Sequence, residues 1–199
     1  MTRTIPASLA GVLEQLELQQ PTLVTFRQLA ELIAESGVQT SVAVAAARLR
    51  EKGWLLRTGQ RGVWEFAPAA MAGPYSRHDP VREFAAYMLQ HPGARCGLTF
   101  QAAAWAHGDA DRVPAHLEVA AGDSLVARQL PASLRTTVFS PNLAMAIRHD
   151  VPVLERASVL VHMAARPTAV RSWQSALEWL PQVAAEVDPS DVHSELAGR

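Results

Sequence analysis

Apolar residues in the first fifty positions recur every three or four residues in three blocks, the period of helices that bury one face. The first block, about Pro6 to Leu18, sets Leu9, Val12, Leu13 and Leu16 on one side and is ended by Pro21. The second opens on Thr25-Phe26-Arg27-Gln28, the form of a capping box in which the Thr25 hydroxyl takes the Gln28 amide and the Gln28 side chain reaches back. Its predicted inward stripe is Phe26, Leu29 and Ile33, and Gly37 is placed for a left-handed stop. The third block, about Thr40 to Lys52, turns Val42, Ala45, Ala46 and Leu49 inward; Thr40 or Ser41 caps it and Gly53 stops it.

The pattern then changes period. Trp54 to Arg57 and Val63 to Phe66 are β-prone runs on either side of Thr58-Gly59-Gln60-Arg61-Gly62, which predicts a hairpin ended by Pro68. Three helices followed at once by a hairpin is the order of a winged helix-turn-helix. Beyond it the elements are mixed. A helix capped by Asp79-Pro80 reaches about Gln90, an extended piece covers Ala94–Leu98, and a helix capped by Thr99 runs to about His107. Strands are expected at Leu117–Ala120, Arg135–Phe139 and Ala144–Arg148, and helices at about Pro152–Ala165, at Trp173–Leu180 and after Asp188-Pro189. The fold class is therefore mixed α/β (α+β). A winged helix-turn-helix at 1–68 is followed by a linker at 69–79, containing Gly73-Pro74, and by a mixed domain at 80–199.

Composition alters this picture in three ways. The 199 residues are 49% hydrophobic and 19% charged, enough apolar material for packed domains rather than a disordered chain. The net charge is −1, so any nucleic-acid surface must arise locally: Arg48, Arg50, Lys52, Arg57 and Arg61 face one acid, Glu51, within residues 48–61. A single cysteine, Cys96, excludes an intrachain disulfide framework and fits a reducing compartment. No apolar run reaches the roughly 18–20 residues of a membrane span, and Ile5–Leu13 meets Glu14 too soon for a signal peptide, so a cytoplasmic protein without membrane partners is expected.

The cationic cluster coincides with the element that a winged helix presents to the major groove. With the inward stripe buried, Gln39, Thr40 and Ser41 are left to hydrogen-bond phosphates or bases. Val44 and Ala47 suit thymine methyls, and the Arg48 fork suits guanine. Arg50, Lys52 and Arg57 flank that face. Gln60 and Arg61 lie at the hairpin tip, where a wing enters a minor groove or pairs with phosphate. The expected partner is double-stranded DNA.

Catalytic readings are weaker. His107, Asp109 and Asp111 are close in sequence, but no distal glutamate completes a calcium loop, and a polar connection explains them. Cys96 with His107 has the residue types of a nucleophile and base, although a lone cysteine more often packs as a small hydrophobe. His162 reads as a packed helix residue. No metal, no cofactor and no enzymatic activity are expected.

Several segments carry a family likeness. Arg48-Leu49-Arg50-Glu51-Lys52-Gly53-Trp54-Leu55-Leu56-Arg57, closed by Gly62-Val63-Trp64-Glu65-Phe66-Ala67-Pro68, resembles the run joining recognition helix to wing in AbiEi-type antitoxins. Phe100 to Gly108, Pro114 and Leu117–Ala120 are similar to a later block of that family, as is Val151 to Ala157 with Leu160 and Met163. Alanine stands where that last helix often has threonine, and His162 lies near its usual acidic position. The resemblance implies an antitoxin of a type IV toxin–antitoxin pair that represses its own operon. It would oppose a nucleotidyltransferase-type toxin without requiring a stable complex. The alternatives are a winged-helix regulator whose second domain senses a small molecule, and an enzyme using residues 96–111.

Overall fold

A computed structural model describes residues 4–71 and 81–199. Most of the expected linker at 69–79, and the Asp79-Pro80 cap, lie outside the described residues. Two compact units are present, Met1–Gln90 and His91–Arg199.

The first unit contains α1 (Ala10–Gln19), β1 (Leu23–Thr25), α2 (Phe26–Glu35), α3 (Val42–Glu51), β2 (Leu55–Arg57), β3 (Val63–Phe66) and α4 (Arg82–Gln90). A short 3-10 turn, Ala7–Leu9, leads into α1. The Thr25 box forms as expected: the Thr25 hydroxyl accepts the Gln28 N–H and the Gln28 side chain accepts the Thr25 N–H. Gly37 takes φ +64°, the left-handed stop that a side chain would strain. Ser41, not Thr40, caps α3, its hydroxyl accepting the Val44 N–H. Leu9, Leu16, Leu29 and Leu49 meet Trp54, Leu55 and Phe66 in one buried cluster.

Two features depart from the sequence reading. Phe26 does not join the inward stripe but stands 52% exposed; Leu32 takes that place. A strand also precedes α2: Leu23, Val24 and Thr25 pair with Glu65, Trp64 and Val63, so the hairpin becomes a three-stranded antiparallel sheet ordered β1-β3-β2. That segment is too short to show period-2 alternation, but β-branched residues after Pro21 favour it.

The expected boundary put the helix at 82–90 with the second domain, yet α4 is bonded to the hairpin. Arg82 pairs with Glu65 of β3 at 2.8 Å, Glu83 accepts the Gly59 N–H at 2.9 Å, and the Gln90 amide donates to the Arg61 carbonyl.

The second unit contains β4 (Cys96–Leu98), α5 (Phe100–His107), β5 (Glu118–Ala121), α6 (Ser124–Gln129), β6 (Arg135–Val138), β7 (Ala146–Arg148), β8 (Val151–Val153), α7 (Arg156–Ala165), α8 (Trp173–Ala176), α9 (Leu180–Glu186) and α10 (Pro189–Leu196). Its sheet runs β6-β5-β4-β8-β7, mixing parallel β5·β6 and β4·β8 pairs with antiparallel β4·β5 and β7·β8 pairs. The helix expected from Pro152 starts only at Arg156. Val151 and Val153 are buried and Pro152 between them is half-buried, the two-residue alternation of a strand. Helix α6, capped by Asp123 on the Leu125 and Val126 amides, has no buried residue, which explains why no apolar stripe announces it. No helix among the described residues is long and apolar enough to cross a membrane.

Candidate nucleic-acid interface

Residues 41, 44 and 48 fall three and four apart and so share one side of α3. Burying Ala45, Ala46 and Leu49 leaves Ser41, Val44 and Arg48 exposed, with Ala43 and Ala47 beside them. Val44 is 44% exposed. Gln39 is exposed ahead of the helix, and Thr40 is half-buried. The Arg48 guanidinium reaches Ser8 at 3.4 Å, a long contact that leaves its fork largely available.

The flanking cations divide. Arg50 is half-buried and, with Arg57, borders an open groove of about 430 Å³ floored by Ala47, Leu55 and Leu56. Lys52 lies 3.5 Å from Glu51, an exposed pair that neutralises part of its charge. Gln60 and Arg61 sit in the hairpin turn, which the Thr58 hydroxyl closes by donating to the Val63 carbonyl at 2.8 Å. Among the described residues Arg50, Arg57 and Arg61 make no ion pair; Arg57 and Arg61 are exposed and Arg50 is half-buried. Glu83 and Gln90, which hold the turn from α4, were not legible as parts of this surface. Some twenty residues separate them from the hairpin, and no spacing rule links the two.

The second unit uses Cys96, His107 and Asp109 for its own structure. Cys96 is buried in β4, and burial pushes its thiol up to about 12, far from a thiolate nucleophile. His107 uses Nε2 on the Leu154 carbonyl at 2.9 Å. Asp109 takes both Nε and Nη2 of Arg156, at 2.9 and 2.7 Å, in a forked pair, while Asp111 is exposed. Among the described residues no group of three His, Cys, Asp or Glu side chains is arranged to hold a metal.

Two buried polar sites stand out there. Thr99 precedes α5, but its hydroxyl meets His162 Nδ1 at 2.8 Å instead of capping the helix. The helix amide at Gln101 is taken by Glu118 at 3.0 Å, and burial pushes that carboxyl up against the pull of this bond and of Arg135 and Arg171. Phe100 takes φ +49°, a strained conformation for a side-chain-bearing residue. His162 is fully buried between Phe100 and Phe139, with centroid distances of 4.3 and 4.1 Å, and its Nε2 has no hydrogen-bond partner among the described residues. Burial, together with Arg166 and Arg199, lowers it to about 3, so the ring is neutral. Glu195 of α10, fully buried, accepts the Ser158 hydroxyl at 2.6 Å and the Asn142 and Leu143 amides, and it pairs with Arg199.

The whole chain superposes on the crystal structure of the RV2827C protein from Mycobacterium tuberculosis with a TM-score of 0.83, covering 100% of this chain and 74% of that one at 22% identity. At that identity the likeness establishes the fold. No curated protein matches the sequence. The profile of the AbiEi antitoxin C-terminal domain, however, matches residues 94–199, more than half of the chain and nearly all of the second unit. This chain therefore belongs to the AbiEi antitoxin family.

Proposed function

We propose that the protein is the antitoxin of a two-gene pair, that it opposes a nucleotidyltransferase-type toxin, and that its first unit is a winged helix-turn-helix that binds promoter DNA and represses its own operon. The family match over 94–199 supports the antitoxin role. The observation that carries the DNA reading is the exposed side of α3, Ser41, Val44 and Arg48, flanked by Arg50, Arg57 and Arg61, which make no ion pair among the described residues. Small side chains at 43, 44 and 47 let a helix approach base edges, and Arg48 supplies the fork that suits guanine. The activity is one of binding; the second unit works without catalysis of its own, in the cytoplasm where operon and toxin meet.

Mobility shifts on the DNA upstream of the coding sequence test this, with toxin co-expression from the neighbouring gene as the second arm. Wild-type chain is expected to shift that DNA and Arg48→Ala to weaken the shift by about 1–3 kcal/mol. A wild-type chain that ignores the upstream DNA at low salt refutes the operator assignment. A second reading is favoured by a cavity of about 180 Å³ between Phe100, Glu118, Arg135, Arg171 and Trp179, which suits a small ligand. It requires operator affinity to change when a small molecule is added.

A further inference from the structure

The hairpin turn, taken alone, is incompletely bonded. Thr58 closes its inside, taking the Gln60 N–H at 3.2 Å and donating to the Val63 carbonyl, while the Gly59 N–H points away from the turn. That amide is taken by Glu83 Oε2 at 2.9 Å. The other Glu83 oxygen receives Arg82 at 3.1 Å, and Arg82 in turn reaches Glu65 of the central strand at 2.8 Å. At the other side of the turn Gln90, two helical turns further along α4, donates to the carbonyl of Arg61.

Gly59 shows what the position needs. Its φ is not left-handed, so the backbone does not demand glycine. A Cβ there would lie 2.6 Å from Glu83 Oε2, so any side chain at 59 obliges the carboxylate to shift from its present place on the amide. A carboxylate held at the wing turn also adds negative charge to a surface meant to meet phosphate. An acid in that place makes sense through the bond it forms.

We propose that α4 is a working part of the DNA-binding surface, with Glu83 as a positioning residue that fixes the wing turn through the Gly59 amide so that Arg61 meets the phosphate backbone. This rests on the DNA-binding reading of the first unit. The two roles of Glu83 predict opposite signs. Glu83→Gln keeps an acceptor for Gly59 and removes the charge, whereas Glu83→Ala removes both.

The experiment uses the full-length chain and a fluorescein-labelled 30-base-pair duplex from immediately upstream of the coding sequence, with anisotropy titrations from low to moderate salt. Glu83→Gln should bind as tightly as wild type or tighter. Glu83→Ala should bind about fivefold weaker, with a salt slope flatter by about one unit as the Arg61 contact is lost. Gly59→Ala, which forces the carboxylate away without touching the charge, should weaken binding similarly in the wild-type background and add nothing in the Glu83→Ala background. It also carries the test if Glu83→Ala fails to fold by circular dichroism. If the two Glu83 variants tighten binding by the same factor, or if Gly59→Ala binds like wild type, Glu83 is only a neighbouring charge and the proposal fails while the DNA reading stands. A wild-type chain that does not bind overturns both.

Discussion

His162 makes the second unit sensitive to mild acid. Its ring is fully buried between two phenyl rings, and the nearby Arg166 and Arg199 further disfavour a positive charge. In the folded chain it takes up a proton only near pH 3, whereas in the unfolded chain it does so near the ordinary value of about 6.5. A folded pKa below the unfolded one means that this contribution to stability is complete above about pH 6.5. It is lost as pH falls, because the unfolded state binds the proton first. Integrating between pH 7.5 and 5.0 gives a loss of about 2 kcal/mol, a large part of a domain's net stability. Glu118, held above the usual carboxylate range, works the other way, and Glu195, held below it, acts only at lower pH. The assay is urea unfolding at the two pH values, followed by Trp105, Trp173 and Trp179 in a background with Trp54→Phe and Trp64→Phe. His162→Phe keeps an aromatic ring in the stack but cannot titrate. Whatever its absolute stability, it should lose about 2 kcal/mol less than the reference over the same pH interval. An undiminished pH drop in His162→Phe would falsify the assignment.

Glu195→Ala leaves the Ser158 hydroxyl and two backbone amides without their acceptor. It should cost about 3 kcal/mol and open α10 to limited proteolysis, a change visible as early cleavage after residue 188. Thr25→Ala dismantles the capping box and should destabilise the first unit by about 1 kcal/mol in thermal unfolding, without altering the salt dependence of DNA binding. Arg57→Ala should weaken binding to specific and random duplexes alike and flatten the salt slope by about one unit; a change confined to the specific duplex would place Arg57 on a base. A chain ending after Pro74 lacks all three ties from α4 to the hairpin and should melt below one ending at residue 92. Equal melting temperatures would show that α4 is dispensable to the fold.

How much of this was legible in the sequence depends on the range of the forces involved. The Thr25 box, the Gly37 stop and the buried side of α3 are settled within one or two turns of chain, and residue spacing alone locates them. Strand β1 escaped because three residues hold no alternation to read; it exists by pairing with β3, forty residues on. Proline favours first helical turns, so the sequence points to a helix from Pro152, but the buried valines on either side decide for a strand once β4 and β7 are there to flank it. The exposure of Ser41, Val44 and Arg48 on one side of α3 could be anticipated, since helical period is a local property. The ties from Glu83 and Gln90 to the turn could not, because only the folded chain brings α4 to the hairpin.

The order of the second sheet leaves β6 and β7 as its two open edges, each with a row of backbone groups that another chain could pair with. Both edges are short, four residues in β6 and three in β7, and each carries one exposed arginine, Arg135 or Arg148, and one exposed apolar residue, Val138 or Ile147. At high concentration those apolar side chains on unpaired strands invite sheet-to-sheet growth. The two arginines oppose it, since a strand pairing along either edge must cover or displace a charged side chain. Replacing Arg148 with threonine would turn β7 into Ala-Ile-Thr, a neutral β-prone edge, and convert a sheet that ends at five strands into a template for its own aggregation.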